Sequence, residues 1–361
     1  MKIIGCDFHP SYQQIAMVDV ETGEMVEQKL THAQGSAERF YRGLEGAVRV
    51  GVEASGYTQW FERLLEELGH ELWVGDAARI RASAVRQQKT DARDARLLLQ
   101  LLLEDRFPKL WIGSLEERDL RQLLVHRLRL VQMRTRIKNQ LHYLALNQGL
   151  QRKRRLWSEA GRKELEALPL LPWADRRRQD LLRWLGELDQ NLHQLSLQVE
   201  QQAQARAEAV RLMTYPGVGP QTALAFVLVL GPWQRFPRGK QVASYLGLIP
   251  REHSSGGRQR LGHISKQGNT LLRWLLGEAA QTAARLDPEL RRLYQRLQHR
   301  KSRSIAKVAV ARQLAVRLYW MLRTGKTYAE LYPAAGMPGS PSHSVVAVRT
   351  DRLSGRPASL P

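Results

Sequence analysis

The sequence predicts an α/β domain followed by all-α regions. Three observations predict it: strand and helix signals alternate over residues 1–110, strand patterning ceases from 111 onward, and 361 residues suit two or three domains rather than one. In the first region Lys2 to Asp7, Gln14 to Val20, Glu24 to Leu30, Val48 to Glu53 and Glu71 to Val74 carry strand composition, with Thr22-Gly23 as a hairpin turn. Helical spacing occupies Ala37 to Leu44, Tyr57 to Leu68 and Asp91 to Leu103, the second opening after Ser55-Gly56.

Three strands, a helix, then strand and helix again is the order expected of an RNase H-like fold. Residues 111–208 are dense in Leu, Arg and Gln. Leu181, Leu185, Leu188, Leu192, Leu195 and Val199 repeat as a heptad seam, and Leu120, Leu124, Leu128 and Val131 make a similar stripe. Two long helices joined through Leu168-Pro-Leu-Leu-Pro172 are expected. With about three heptads, a helical hairpin packed on itself and an intermolecular coiled coil fit equally well.

Residues 209–325 read as mainly helical. They open on Tyr215-Pro-Gly-Val-Gly-Pro-Gln-Thr-Ala223, a glycine-bounded turn similar to the hairpin of helix-hairpin-helix modules. There, backbone N–H groups around Gly217 and Gly219 would hold a phosphate without reading bases, although such turns also serve as plain connectors. Pro, Gly and Ser dominate from Pro333, and residues 326–361 are assigned to a disordered tail.

Lys plus Arg number 56 against 35 Asp plus Glu, a formal charge of +21, which calls for a phosphate-bearing partner, most naturally nucleic acid. Between Leu120 and Ser158 there are ten Lys or Arg and no acid, with Arg134, Lys138, Arg152, Lys153, Arg154 and Arg155 as candidate contacts. Arg291 to Arg312 adds eight cations without an acid. The longest apolar stretches, Leu97 to Leu103 and Ala223 to Leu230, are too short to span a bilayer. Met1-Lys-Ile-Ile-Gly leads into a strand rather than the apolar core of a signal peptide. A single cysteine, Cys6, excludes an internal disulfide and a cysteine-based zinc site, as expected in a reducing cytoplasm.

In so basic a chain, Asp7 and Glu53 at strand ends and Asp91 and Asp94 at i and i+3 on one helix face suit hard divalent cations. Two magnesium ions about 4 Å apart can stabilise both oxygens of a phosphodiester exchange. Each carboxylate also has an ordinary reading: Asp91 favours a helix N-terminus, and Asp94 can pair with Arg86, Arg93 or Arg96. His9 is a possible further ligand, with a turn or core role favoured. A second stretch places Ser254-Ser255-Gly256-Gly257 among Arg251, Arg258, Arg260 and Lys266, where a serine hydroxyl can attack a phosphodiester. A cation-flanked turn is the competing reading.

Together, Gly5-Cys-Asp7, Glu53-Ala-Ser-Gly56, Lys89-Thr-Asp-Ala-Arg-Asp-Ala95, Pro216-Gly-Val-Gly-Pro-Gln-Thr-Ala223, Leu246-Gly-Leu-Ile-Pro250, Ser254-Ser-Gly256 and Ile264-Ser-Lys-Gln-Gly-Asn269 resemble the insertion-sequence transposases of the IS110 family over roughly residues 1–325. The resemblance implies a RuvC-like DEDD nuclease domain (1–110), a coiled-coil region (111–208) and a transposase domain (209–325). Asp7, Glu53, Asp91 and Asp94 take the DEDD positions and hold Mg²⁺, two ions per site. The serine directly before the glycine is the nucleophile, which points to Ser255, with Ser254 second. Further implications are a phosphoserine intermediate, a structured bridge RNA that pairs with target and donor DNA, and homodimers that assemble into tetramers. The setting implied is the cytoplasm of a prokaryote, on the nucleoid. Two other functions compete: a hydrolytic RuvC-like nuclease of the junction-resolvase kind, and a non-catalytic nucleic-acid-binding protein.

Overall fold

The computed structural model describes residues 1–84, 90–151, 155–254, 257–258 and 260–332, and the chain divides into two compact units, Met1–Gly113 and Ser114–Pro361. In the first, strands β1 (Lys2–Phe8), β2 (Tyr12–Asp19), β3 (Met25–Thr31), β4 (Val48–Glu53) and β5 (Glu71–Gly75) form one sheet in the order β3-β2-β1-β4-β5. β1, β2 and β3 run antiparallel, whereas β1, β4 and β5 are parallel. Helix α1 (Ser36–Arg42) joins β3 to β4, and α2 (Gln59–Glu67) is the crossover that a parallel β4–β5 pair requires.

Alternation sorts β1 into two faces. Ile4, Cys6 and Phe8 join Val50, Val52, Tyr41, Phe61 and Leu65 in a core beneath α1 and α2. Ile3, Gly5 and Asp7 face the other side, where Ile3 and Ala16 pack with Ala95, Leu98, Leu99 and Leu102 of α4 (Asp91–Leu103). Ala16, Gly5 and Gly51 lie in register across three strands. This row of small residues seats α4 on the sheet: a Cβ at Gly5 would fall 2.2 Å from the Ala95 carbonyl oxygen and 2.3 Å from the Leu99 nitrogen. Helix α3 (Ala77–Ser83) lies where no helix was expected. Its signal was Asp76, whose side chain accepts from the Ala78 and Arg79 amides as an N-cap.

In the second unit, α5 (Leu115–Asn147) opens on a Ser114/Glu117 capping box, and α7 (Pro172–Gln204) starts on a proline. The short α6 (Glu159–Glu166) lies between them. Ile137, Leu141 and Leu144 pack with Leu181, Leu185 and Leu188, so much of the leucine seam is covered within its own chain. There follow α8 (Ala207–Met213), α9 (Pro220–Leu230), α10 (Gly239–Tyr245), a hairpin of β6 (Pro250–Glu252) and β7 (Leu261–Ile264), α11 (Thr270–Leu286), α12 (Pro288–Arg300), α13 (Arg303–Thr324) and α14 (Tyr328–Leu331).

Helix α9 is apolar nearly all round and must be covered on every side. Leu124 of α5 and Val199 and Ala203 of α7 share its core with α11 and α13, so the division expected after residue 208 does not separate compact units. Residues 326–332, assigned to a disordered tail, are ordered: the Tyr328 hydroxyl donates to Asp287 Oδ2 at 3.0 Å, and the Tyr328 and Tyr332 rings meet Tyr215. The rest of that segment, 333–361, lies outside the described residues. Asp287 is shared by two helices, closing α11 and capping α12 by accepting from the Glu289 and Leu290 amides. Buried beside it, Arg317 donates to Asp287 Oδ2 at 2.6 Å and to the Tyr215 hydroxyl at 2.9 Å. The charges compensate each other where water is absent.

Candidate active site

The antiparallel register Asp7↔Gln14 places Tyr12, two residues along, on the same face as Asp7. The His9 amide donates to the Tyr12 carbonyl at 2.9 Å, closing the turn that returns the chain past Asp7. The parallel register ends at Cys6↔Val52, so Glu53 stands one step further on, level with Asp7. Thr90 caps α4 by accepting from the Arg93 amide, and this fixes Asp91 in the first turn with Asp94 one turn on.

His9 Nε2 lies 3.0 Å from Asp7 Oδ2 and 3.7 Å from Asp91 Oδ1. The Tyr12 hydroxyl donates to Asp91 Oδ2 at 2.7 Å, its ring stacks on His9 at 4.5 Å, and Lys29 Nζ sits 3.8 Å above that ring. One ligand atom each from Asp7, His9 and Asp91 lies within 4.8 Å of the other two. Glu53 instead meets Arg81 at 3.5 Å, a pair exposed to solvent. Asp94 stands outside the three-residue set, but its charge is felt at Asp7.

Burial pushes the Asp7 carboxyl up; His9 opposes this, and repulsion from Asp94 and Asp91 adds to it. The Tyr12 hydrogen bond holds the Asp91 carboxyl down, helped by His9 and Lys29. Two carboxylates and an imidazole converging on one point fit a divalent cation by donor chemistry. Sequence alone favoured a turn or core role for His9 and did not single out Tyr12. The alternation that puts Tyr12 on the Asp7 face was available, but only the strand register makes it decisive.

In the second unit, Ser254 sits on the β6–β7 hairpin with its hydroxyl donating to Glu252 Oε1 at 2.6 Å and accepting from the Arg260 amide at 3.1 Å. Ser255 lies outside the described residues. Glu252 supplies a carboxylate beside a serine hydroxyl, a partner that no sequence motif singled out. The base of the hairpin is locked to the helices by crossing backbones. Gly247 and Gly268 hold positive φ of 66° and 71°, and a Cβ on either would fall 2.3 Å from the Gln267 oxygen or 2.1 Å from the Tyr245 oxygen. Arg273 donates to the Leu246 carbonyl at 3.3 Å and also to that of Gln267. These contacts give Leu246-Gly-Leu-Ile-Pro250 and Ser265-Lys-Gln-Gly-Asn269 a physical reason.

The candidate cations divide. Arg134 pairs with Asp189 of α7 at 3.2 Å and so belongs to the α5–α7 hairpin, whereas Lys138 lies 5.0 Å over the ring of Trp157, in the segment between α5 and α6. Arg129 and Arg136, seven residues apart on α5, are exposed. Arg155 is exposed, and Arg152, Lys153 and Arg154 lie outside the described residues. Arg251, Arg258, Arg260 and Lys266 are exposed around the hairpin, Arg251 donating to the Ser265 carbonyl at 3.3 Å. Gly217 has a packing role: at φ 89°, a Cβ there would lie 2.9 Å from the Ala279 oxygen of α11. Gly219, by contrast, is exposed at the start of α9.

Residues 209–295 match the model of the Transposase IS116/IS110/IS902 family, and residues 4–148 match the DEDD transposase model of IS110 elements. The chain is 31% identical over 339 residues to a probable family 20 transposase of Pseudomonas aeruginosa, covering 90% of this chain and 97% of that one. It is 28% identical over 293 residues to the transposase for insertion sequence element IS1111A of Coxiella burnetii, covering 79% and 78%. It is 27% identical over 289 residues to the transposase for insertion sequence element IS1328 of Yersinia enterocolitica, covering 77% and 84%. Among the described residues, no helix is long and apolar enough to cross a membrane.

Proposed function

The chain belongs to the IS110/IS116/IS902 family of transposases, and from that premise we propose that it excises and inserts its element by strand exchange through a phosphoserine intermediate, guided by a bridge RNA. The observation that carries this reading is the meeting of Asp7, His9 and Asp91 at the end of β1 in a chain of charge +21. The first unit acts as the RuvC-like nuclease domain, of RNase H-like fold. Asp7, Glu53, Asp91 and Asp94 would hold Mg²⁺, two ions per site. When bound, the metal supplies Lewis-acid stabilisation of charge on the phosphodiester oxygens. Tyr12 keeps one oxygen of Asp91 engaged and so aims the other into the site.

Ser255 is the nucleophile of first choice and Ser254 the second. The serine oxygen attacks phosphorus, a P–Oγ bond forms as the bond to the departing DNA oxygen breaks, and a DNA hydroxyl later reverses the exchange on a new partner strand. Glu252, bonded to Ser254, supports removal of a hydroxyl proton within the hairpin. Exposed cations hold DNA and RNA backbones. Dimers pair into tetramers, acting on the nucleoid in the cytoplasm.

A hydrolytic nuclease is the second reading, favoured by the Ser254 contacts with Glu252 and the Arg260 amide, which also suit a structural turn. Incubating the protein with element-end DNA, copurifying RNA and Mg²⁺, followed by a denaturing gel, separates the two. A protein–DNA adduct lost in Ser255→Ala supports serine recombination. Metal-dependent nicking without an adduct supports hydrolysis, and cleavage that survives Asp7→Asn rejects both.

A further inference from the structure

We propose that the second unit carries an additional nucleic-acid subsite, a groove at the base of the β6–β7 hairpin that takes one unpaired nucleotide, its base against the Trp274 indole and its phosphate among Lys266, Arg273 and Lys307. This rests on nucleic acid being the substrate and adds to it a place where a base leaves the stack.

The groove has a volume of about 270 Å³, open to solvent, with Leu248 and Val308 among its apolar lining. That is just below the ~300–1,000 Å³ of pockets for drug-sized ligands and suits one ring system laid on a wall. Trp274 is 43% exposed in a helix whose neighbouring Leu271, Leu272, Leu275 and Leu276 are all buried. An indole face next to fixed cations is the arrangement that stacks unpaired bases with little regard to sequence.

Two backbone features support a built site. Gly277 follows Trp274 by three residues on the same face of the 17-residue α11. A Cβ there would meet only Lys307 Cε, at an ordinary 3.5 Å. Packing does not demand glycine at that point, and glycine within a helix is destabilising relative to alanine. Its effect is to keep the groove open beside the indole. Lys266 holds a φ of 56°, rare for a residue with a Cβ, and its amide donates to the Gly247 carbonyl at 3.2 Å.

Charge selects the occupant. Arg273 is pinned by the Leu246 and Gln267 carbonyls, and Lys307 pairs with Glu278 at 2.9 Å, so three cations face one carboxylate. A plain apolar ligand gains nothing from them. A duplex keeps its base faces stacked, whereas an unpaired DNA or RNA nucleotide offers a π face and a phosphate together.

The test is fluorescence anisotropy on the full chain, with a short labelled single strand, its duplex and the same strand carrying abasic residues, in DNA and RNA versions. Trp274→Ala should weaken single-strand binding by about tenfold, Trp274→Phe should recover most of it, and duplex affinity and salt slope should not change. Gly277→Leu, which fills the groove, should match Trp274→Ala, with circular dichroism confirming the fold of each variant. Equal losses on strand and duplex, no loss, or an abasic strand bound as tightly as the base-bearing one would overturn the subsite. The abasic comparison decides even if a variant does not fold. Duplex binding without base-dependent single-strand binding removes the subsite alone, whereas wild-type protein that binds no nucleic acid removes the underlying reading.

Discussion

The Tyr12 hydroxyl donates to Asp91 Oδ2 at 2.7 Å, so a residue at the start of β2 fixes the carboxylate that opens α4. Partners behind a metal ligand commonly change affinity by about 10–100-fold when removed. Tyr12→Phe should therefore weaken Mn²⁺ binding by about tenfold in calorimetric titration, while lowering the melting temperature of the metal-free protein at neutral pH slightly, since the hydrogen bond that holds the Asp91 carboxyl down is lost. Unaltered Mn²⁺ affinity would show that Asp91 needs no such support.

Asp7 gives the metal-free protein a characteristic pH dependence. Its folded carboxyl is raised by burial, with Asp94 and Asp91 adding to the shift, so the folded state binds the proton more tightly than the unfolded state. Stability then falls as pH rises from the ordinary aspartate range through the raised value, and the penalty persists at neutral pH. Asp7→Asn should flatten that dependence and raise the melting temperature at neutral pH in chelator by about 1–3 °C, while abolishing cleavage. Asp91, held down by Tyr12, has the opposite sign: its contribution is present above its unfolded value and lost as pH falls through the folded one. A lower melting temperature for Asp7→Asn would contradict the assignment.

Gly5→Ala should separate the two halves of the carboxylate site. The new methyl meets the α4 backbone, which cannot swing aside as a flexible side chain can. A loss of about 3 kcal/mol is expected in urea unfolding, together with lost cleavage even in the folded fraction. Wild-type activity would mean that α4 can shift without moving Asp91 and Asp94 out of place.

How much of this the sequence disclosed depends on the range of the interaction. Asp91–Leu103 was bounded correctly because Thr90 is a local cap and the leucines repeat locally. The five strands appeared for the same reason. β2 begins at Tyr12 rather than Gln14, since the tight turn leaves His9 bonded to Tyr12. Of the four carboxylates singled out in the sequence, the structure brings Asp7 and Asp91 together with His9, and that geometry was not legible. Strand pairing brings Tyr12 and His9 to Asp91, 79 positions from Tyr12, and no local pattern encodes that register. Among the basic residues, Arg134 and Arg129 look alike in sequence, and only the packing of α5 on α7 shows which has a carboxylate partner.

That distinction predicts different outcomes for neighbouring arginines. Arg129→Gln with Arg136→Gln should weaken binding to DNA of any sequence and reduce the salt slope by about 1 for each phosphate that is no longer neutralised. Arg134→Gln should instead loosen the hairpin with little effect on the slope. Binding isotherms at several salt concentrations, with thermal melts of the same samples, distinguish the two.

Arg317 lends itself to a simple stability test. Removing it leaves Asp287 buried without its cation, so Arg317→Ala should cost about 3–5 kcal/mol in urea unfolding of the second unit. Tyr328→Phe, which deletes one neutral donor to the same carboxylate, should cost about 1 kcal/mol. Equal losses would mean that the ion pair adds nothing beyond its hydrogen bonds.

The row Ala16–Gly5–Gly51 brings helix and sheet together with no cushion of side chains at Gly5. A layer of leucines can slide and change rotamers, and it passes only part of any jolt from one element to the next. Backbone seated on backbone has no such slack. Asp7 and the Asp91–Asp94 turn therefore ride on a single stiff body, and thermal motion carries them together instead of changing the gap between them.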